Sequence, residues 1–188
     1  MKYRLAAAAL IAQPTMALAH GIHAEGFSAG LSHPFGGVDH LLTMVLVGVF
    51  GVALGRRMTW AMPLAFVGAM AIGLAFARSG LDLSWTEIVA FISPLGLGLA
   101  LLLGKSIPRA GALALVGGLG FCHGHVHGIE LGSGTVLFST AAGVLLGTAV
   151  LHTLGVLSMK VTREGLRESA TKAAGILATF AGVALLFT

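Results

Sequence analysis

Apolar residues run along this chain in long blocks instead of the short alternations of a soluble helix or strand. Six blocks follow the first thirty residues, at 34–55, 60–77, 85–104, 110–128, 135–159 and 173–187. Crossing about 30 Å of hydrocarbon at 1.5 Å per residue takes about 20 residues, so each block predicts a transmembrane helix. A seventh apolar stretch at the start reads differently. Lys2 and Arg4 precede an apolar run over residues 5–12, Gln13-Pro14 cuts it short, and Ala17-Leu18-Ala19 has the small-x-small form of a cleavage site. Residues 1–19 therefore read as a signal peptide, leaving 20–188 as one all-α, six-helix integral membrane domain that begins His20-Gly21-Ile22-His23.

The polar loops orient that bundle. Arg56, Arg57, Lys105, Arg109, Lys160, Arg163, Arg167 and Lys172 fall on one side; the other carries Arg78 with Glu25, Asp82, Glu87 and Glu130. The positive-inside rule places the eight basic residues in the cytoplasm, so both mature termini face the periplasm of a bacterial inner membrane. The signal peptide independently demands the same topology.

Composition agrees. Hydrophobic residues make up 56% and charged residues 10%, against about 25% charged in soluble domains, and the mean hydropathy is +0.95. The net charge of +4 sits in short loops between apolar runs, which argues against nucleic acid and for lipid as the surroundings. A single cysteine, Cys122, excludes an intrachain disulfide. Among 28 glycines, Gly120-Gly124-Gly128 and Gly143-Gly147 form small-xxx-small faces on which helices, or copies of the chain in a homo-oligomer, pack closely.

Against this background the ionisable residues stand out. His33, Asp39 and His40 open the first block at its outer end, and seven-residue spacing puts His33 and His40 on one face of a regular helix, with Met44 a turn deeper. Asp39 either ligates or orients an imidazole. His123 and His127, four apart, share a face at the outer end of the fourth block. His125 points away unless Gly124 and Gly128 unwind the helix. If the first and fourth helices are neighbours, the clusters meet and offer a site for a nickel-, cobalt-, zinc- or copper-like ion, which imidazole suits. Glu130 is a rim carboxylate, Cys122 a soft ligand or a small buried residue, and Met44 core more often than ligand. His152 is a packing residue or a second station on a pathway. His20 and His23 offer a chelate at the mature terminus.

The stretches HPFGGVDH and GFCHGHVHGIE resemble the two signature motifs of the HupE/UreJ family of nickel and cobalt permeases. His33, Pro34, Gly37, Asp39 and His40 match the first; Phe121, His123, Gly124, His127, Gly128 and Glu130 match the second, with Val126 where alanine is usual. The resemblance implies secondary uptake of Ni²⁺ for hydrogenase or urease maturation, or of Co²⁺ for cobalamin. The ion would be transient cargo, with no fixed cofactor. His125 is additional to the pattern. Two other functions compete: an intramembrane zinc hydrolase, and a periplasm-facing metal sensor or chaperone partner without net transport.

Overall fold

The computed structural model describes residues 26–81, 83–130 and 137–187. The proposed signal peptide, His20 and His23 lie outside these residues. Every regular element among them is helical: α1 (Phe27–Ser32), α2 (Val38–Ala53), α3 (Met58–Ala77), α4 (Trp85–Phe91), α5 (Ser93–Leu103), α6 (Arg109–Glu130), α7 (Leu137–Val161) and α8 (Glu164–Leu185). Short 3-10 turns, His33–Phe35 and Gly104–Ser106, join α1 to α2 and extend α5.

Three helices, α3, α6 and α7, are each long and apolar enough to cross a membrane, and the count reaches five if each of two bent pairs is one span. These bends correct the straight helices expected over 34–55 and 85–104. The first is 84°, between the turn at His33–Phe35 and α2. There Gly37 is extended, with φ −119° and ψ 136°, which ends one helical path and starts another. The second is 53°, between α4 and α5. Pro94 has no N–H for the carbonyl of Ala90, so the helix breaks before it. Ser93 Oγ donates to that carbonyl instead at 2.6 Å. The same hydroxyl is 2.7 Å from Thr43 Oγ1, which pins the break to α2. Helix α8 is 22 residues long, but its first half holds Glu164, Arg167, Glu168 and Lys172. Only its second half has the apolar character expected of a sixth span.

Glycines set the packing. A Cβ at Gly120 or Gly124 would collide with the carbonyls of Phe66 or Met70, and one at Gly73 with that of Phe121, so α3 and α6 touch backbone to backbone. They run parallel, Phe66 beside Gly120 and Ala77 beside Gly128. Helix α7 meets α1 through Gly143 and Gly147, and α2 through Gly155 against Val45 and Gly48 against His152. Such contact replaces side-chain interdigitation where lipid offers little hydrophobic gain. At the opposite end to the histidine motifs, Arg167 caps the last turn of α7, donating to the carbonyls of Met159, Lys160 and Thr162 at 3.1 Å. Lys160 Nζ lies 5.4 Å from the Trp60 ring, so the basic ends of α7 and α3 are together.

The packing makes a paired prediction. Gly124→Val should separate α3 from α6 and lower thermal stability of the detergent-solubilised protein by about 1–3 kcal/mol. Gly117→Ala, whose Cβ meets nothing within 4 Å, should leave the melting temperature unchanged or raised.

Candidate metal centre

Helix α6 stays regular to Glu130. At 100° per residue its glycine stripe, Gly120-Gly124-Gly128, divides the helix surface, with His123, His127 and Glu130 on one flank and His125 on the other. The helix does not unwind at Gly124 or Gly128, so His125 points away from the other two histidines, as a regular helix predicts. His125 is fully buried on the α4 side. Its Nε2 donates to the carbonyl of Leu81 at 3.1 Å, and its Nδ1 is 2.9 Å from the Thr86 hydroxyl. The ring stacks on Phe121 at 6.3 Å. Both nitrogens are thus committed to tying α4 and the segment before it to α6.

On the other flank the two motifs come together, although His33 and His40 do so from separate elements and not from one helix face. Across the 84° bend their ring centroids are 6.2 Å apart. His40 lies 5.2 Å from His123 and 5.0 Å from His127, and His33 lies 4.6 Å from His127. Two imidazoles bound to one ion at about 2.0–2.1 Å hold their centroids about 4.5 Å apart at a right angle and about 5.2 Å apart at a tetrahedral angle. These separations have the scale of a coordination sphere.

The hydrogen bonds fix which nitrogens are available. His123 Nδ1 is 2.9 Å from the carbonyl of Leu119, and a carbonyl only accepts, so the proton is on Nδ1 and the lone pair on Nε2. His40 Nδ1 donates to Asp39 Oδ2 at 2.9 Å in the same way. His127 Nδ1 faces Glu130 Oε2 at 3.0 Å and His33 Nε2 at 3.2 Å. The Nε2 atoms of His40, His123 and His127 are buried without a hydrogen-bond partner. Leaving a buried polar atom unpaired costs about 1–3 kcal/mol, and three neutral donors together are a set that a metal ion could satisfy. A carboxylate or carbonyl on the far nitrogen is also what orients a metal-binding histidine.

A second donor group lies at the rim. Ligand atoms of His33, His127 and Glu130 fall within 4.8 Å of one another, with the His33 and Glu130 side chains 44% and 53% exposed. His127 stands between the groups, Nδ1 toward the rim and a free Nε2 in the buried cluster. Glu130 therefore takes a larger part in the geometry than a solvated rim residue. Gly37 supplies space: a Cβ there would lie 2.6 Å from Asp39 Oδ1 and 3.4 Å from His40 Nδ1. The resemblance to the family motif included that glycine but not its purpose.

The remaining candidates separate. Met44 is fully buried in the apolar core. Cys122 is buried and borders an apolar cleft with Trp85, Val89 and Leu119, on the α4 side of α6. His152 is fully buried on α7, its Nδ1 donating to the carbonyl of Met44 at 2.7 Å.

Several apolar helices around a buried imidazole cluster, open at one end through a carboxylate rim, define a multi-pass membrane protein built around a polar site. The chain belongs to the HupE/UreJ protein family, whose model matches residues 8–185. It is 39% identical over 181 residues to Protein HupE of Rhizobium leguminosarum bv. viciae, covering 95% of this chain and 94% of that one. No solved structure matches it significantly.

Gly37→Ala should push the Asp39 carboxylate off His40 and weaken Ni²⁺ or Co²⁺ binding by about 10–100-fold, the usual cost of losing a ligand's orienting partner. Isothermal titration of the purified protein measures it. His125→Gln, on the far flank, should leave that affinity within about twofold.

Proposed function

We propose that this protein is a secondary permease that carries Ni²⁺ or Co²⁺ across a bacterial inner membrane from periplasm to cytoplasm. Six spans with both mature termini outside complete the scheme, α8 providing the sixth. The observation that carries the reading is the set of three buried imidazole Nε2 lone pairs on His40, His123 and His127, each ring anchored through its other nitrogen. Imidazole favours nickel, cobalt, zinc and copper over magnesium and calcium, and membership of the HupE/UreJ family supports nickel or cobalt among these.

The steps follow from the residues. Glu130 and His33, at the exposed rim, receive the hydrated ion and begin to replace its water. The C-terminal end of α6 adds a favourable dipole for a cation there. Movement of His127 between rim and interior, or of the ion across its two nitrogens, passes the cargo to His40 and His123. Asp39 holds His40 in its ligating tautomer and offsets part of the charge of the buried ion. Inward movement of a divalent ion through the membrane potential releases about 4.6 kcal/mol per 100 mV, twice the value for a single charge.

His40→Ala and Asp39→Ala should each abolish accumulation of radiolabelled nickel or cobalt in cells while the protein reaches the membrane in normal amount. Normal uptake in both would overturn the permease assignment. Tight binding by purified wild-type protein with no flux into proteoliposomes would instead make it a sensor or chaperone partner.

A further inference from the structure

Beyond the outer cluster the bundle contains a fourth imidazole of the same kind. His152 on α7 has no exposed surface. Its Nδ1–H is spent on the carbonyl of Met44 at 2.7 Å, and its Nε2 is buried with no partner. A histidine whose role was only to pin α7 to α2 would need that one bond and nothing more. The α2–α7 contact is in any case secured by Gly48 and Gly155, where the backbones touch. The second nitrogen adds an unpaired polar atom to an apolar core, which is destabilising, and packing does not account for it.

One side chain relates His152 to the outer cluster. The Phe66 ring on α3 lies 5.4 Å from that of His123 and 4.9 Å from that of His152, nearly perpendicular to the latter at 89°. Phe66 is fully buried, and its backbone is held against Gly120. One turn along the same α3 face is Met70, whose sulfur accepts from Thr148 Oγ1 at 3.7 Å. Thr148 is itself one turn from His152 on α7. One aromatic ring thus neighbours two imidazoles with free lone pairs, and a hydroxyl and a soft sulfur lie on the same two helices.

We infer that His152 is an inner coordination station for the transported divalent transition-metal ion, taking it on Nε2 after it leaves His40 and His123 and passes Phe66. This rests on the permease reading above and adds the second site that reading requires. An ion bound only at the outer cluster would have to cross the rest of an apolar core without a ligand. One imidazole halfway divides that passage into two steps, each with a donor at its end. Phe66 closes the route at rest, so that the outer site fills before the inner one.

The test uses the full-length protein in proteoliposomes enclosing a Ni²⁺-sensitive dye, with nickel binding and thermal stability measured on the same preparations. His152→Asn is the informative variant, because its amide N–H falls near the place of Nδ1 and preserves the bond to Met44 while deleting the ring Nε2. It should melt at the wild-type temperature and bind nickel at the outer site within about twofold of wild type, yet carry nickel at least tenfold more slowly. His152→Gln, which replaces the lone pair by a weaker amide oxygen, should be impaired in the same sense. Wild-type flux in both variants overturns the inference. So does a joint loss of binding, flux and melting temperature, which would make His152 a packing residue. If wild-type protein binds nickel but carries none, the permease reading fails and the inner station with it. That outcome is distinct, because wild type, His40→Ala and His152→Asn would then give equal flux.

Discussion

The contact on which the rest depends is the backbone-to-backbone approach of α6 to α3. Gly73, Gly120 and Gly124 leave no room for a methyl group between the helices, so the rotation of α6 about its own axis is fixed. That rotation decides the fate of three histidines at alternate positions. With the glycine stripe against α3, His123 and His127 turn toward the start of α2, and His125 turns toward α4. A rotation of α6 by 100°, one residue's worth, would scatter the cluster. The histidine motif and the glycine motif are one device, the second aiming the first.

A site aimed this way is costly for the protein alone to satisfy. Three imidazole lone pairs inside an apolar bundle represent several kcal/mol of unmade hydrogen bonding. A chain under no other demand would relieve each of them with a serine or threonine hydroxyl. Hydroxyls are present nearby, but they bond elsewhere: Thr43 to Ser93, Thr148 to Met70. Meanwhile every Nδ1 in the cluster is satisfied, by a carboxylate or a carbonyl. The unpaired atom is the same nitrogen, Nε2, in each of the three rings, and all three lie in one region, the arrangement on which the metal reading proposed above rests. Divalent metal fits because each such nitrogen is a neutral donor.

Much of this was legible in the sequence, and the parts that were not have identifiable reasons. Block hydrophobicity gave all-helical membrane architecture, the glycine spacing gave close packing, and motif spacing placed His123 and His127 on one face with His125 off it. Periodicity could not show that Gly120-Gly124-Gly128 faces α3 instead of the first helix, because a stripe of small residues does not name its partner. The break at Ser93-Pro94 was also missed. An apolar window of twenty residues averages over a single proline, and the carbonyl of Ala90 finds Ser93 only in three dimensions. Glu130 was legible as a rim carboxylate, but only the fold brings His33 beside it.

The 84° bend shows why a regular first helix would have failed. On one straight helix His33 and His40 would share a face but lie about 10.5 Å apart along the axis, seven residues at 1.5 Å each. That is too far for both rings to meet one imidazole of α6. Breaking the path at Gly37 folds His33 back, so that its ring is 6.2 Å from His40 and 4.6 Å from His127. The two histidines then approach His127 from different depths, His33 against Nδ1 at the exposed rim and His40 with its ring 5.0 Å away inside. A binding site needs only convergence, whereas transfer needs donors at successive depths that share a common member. The bend supplies that gradation, and His127, with one nitrogen toward each group, is the residue through which the rim and the buried cluster are continuous.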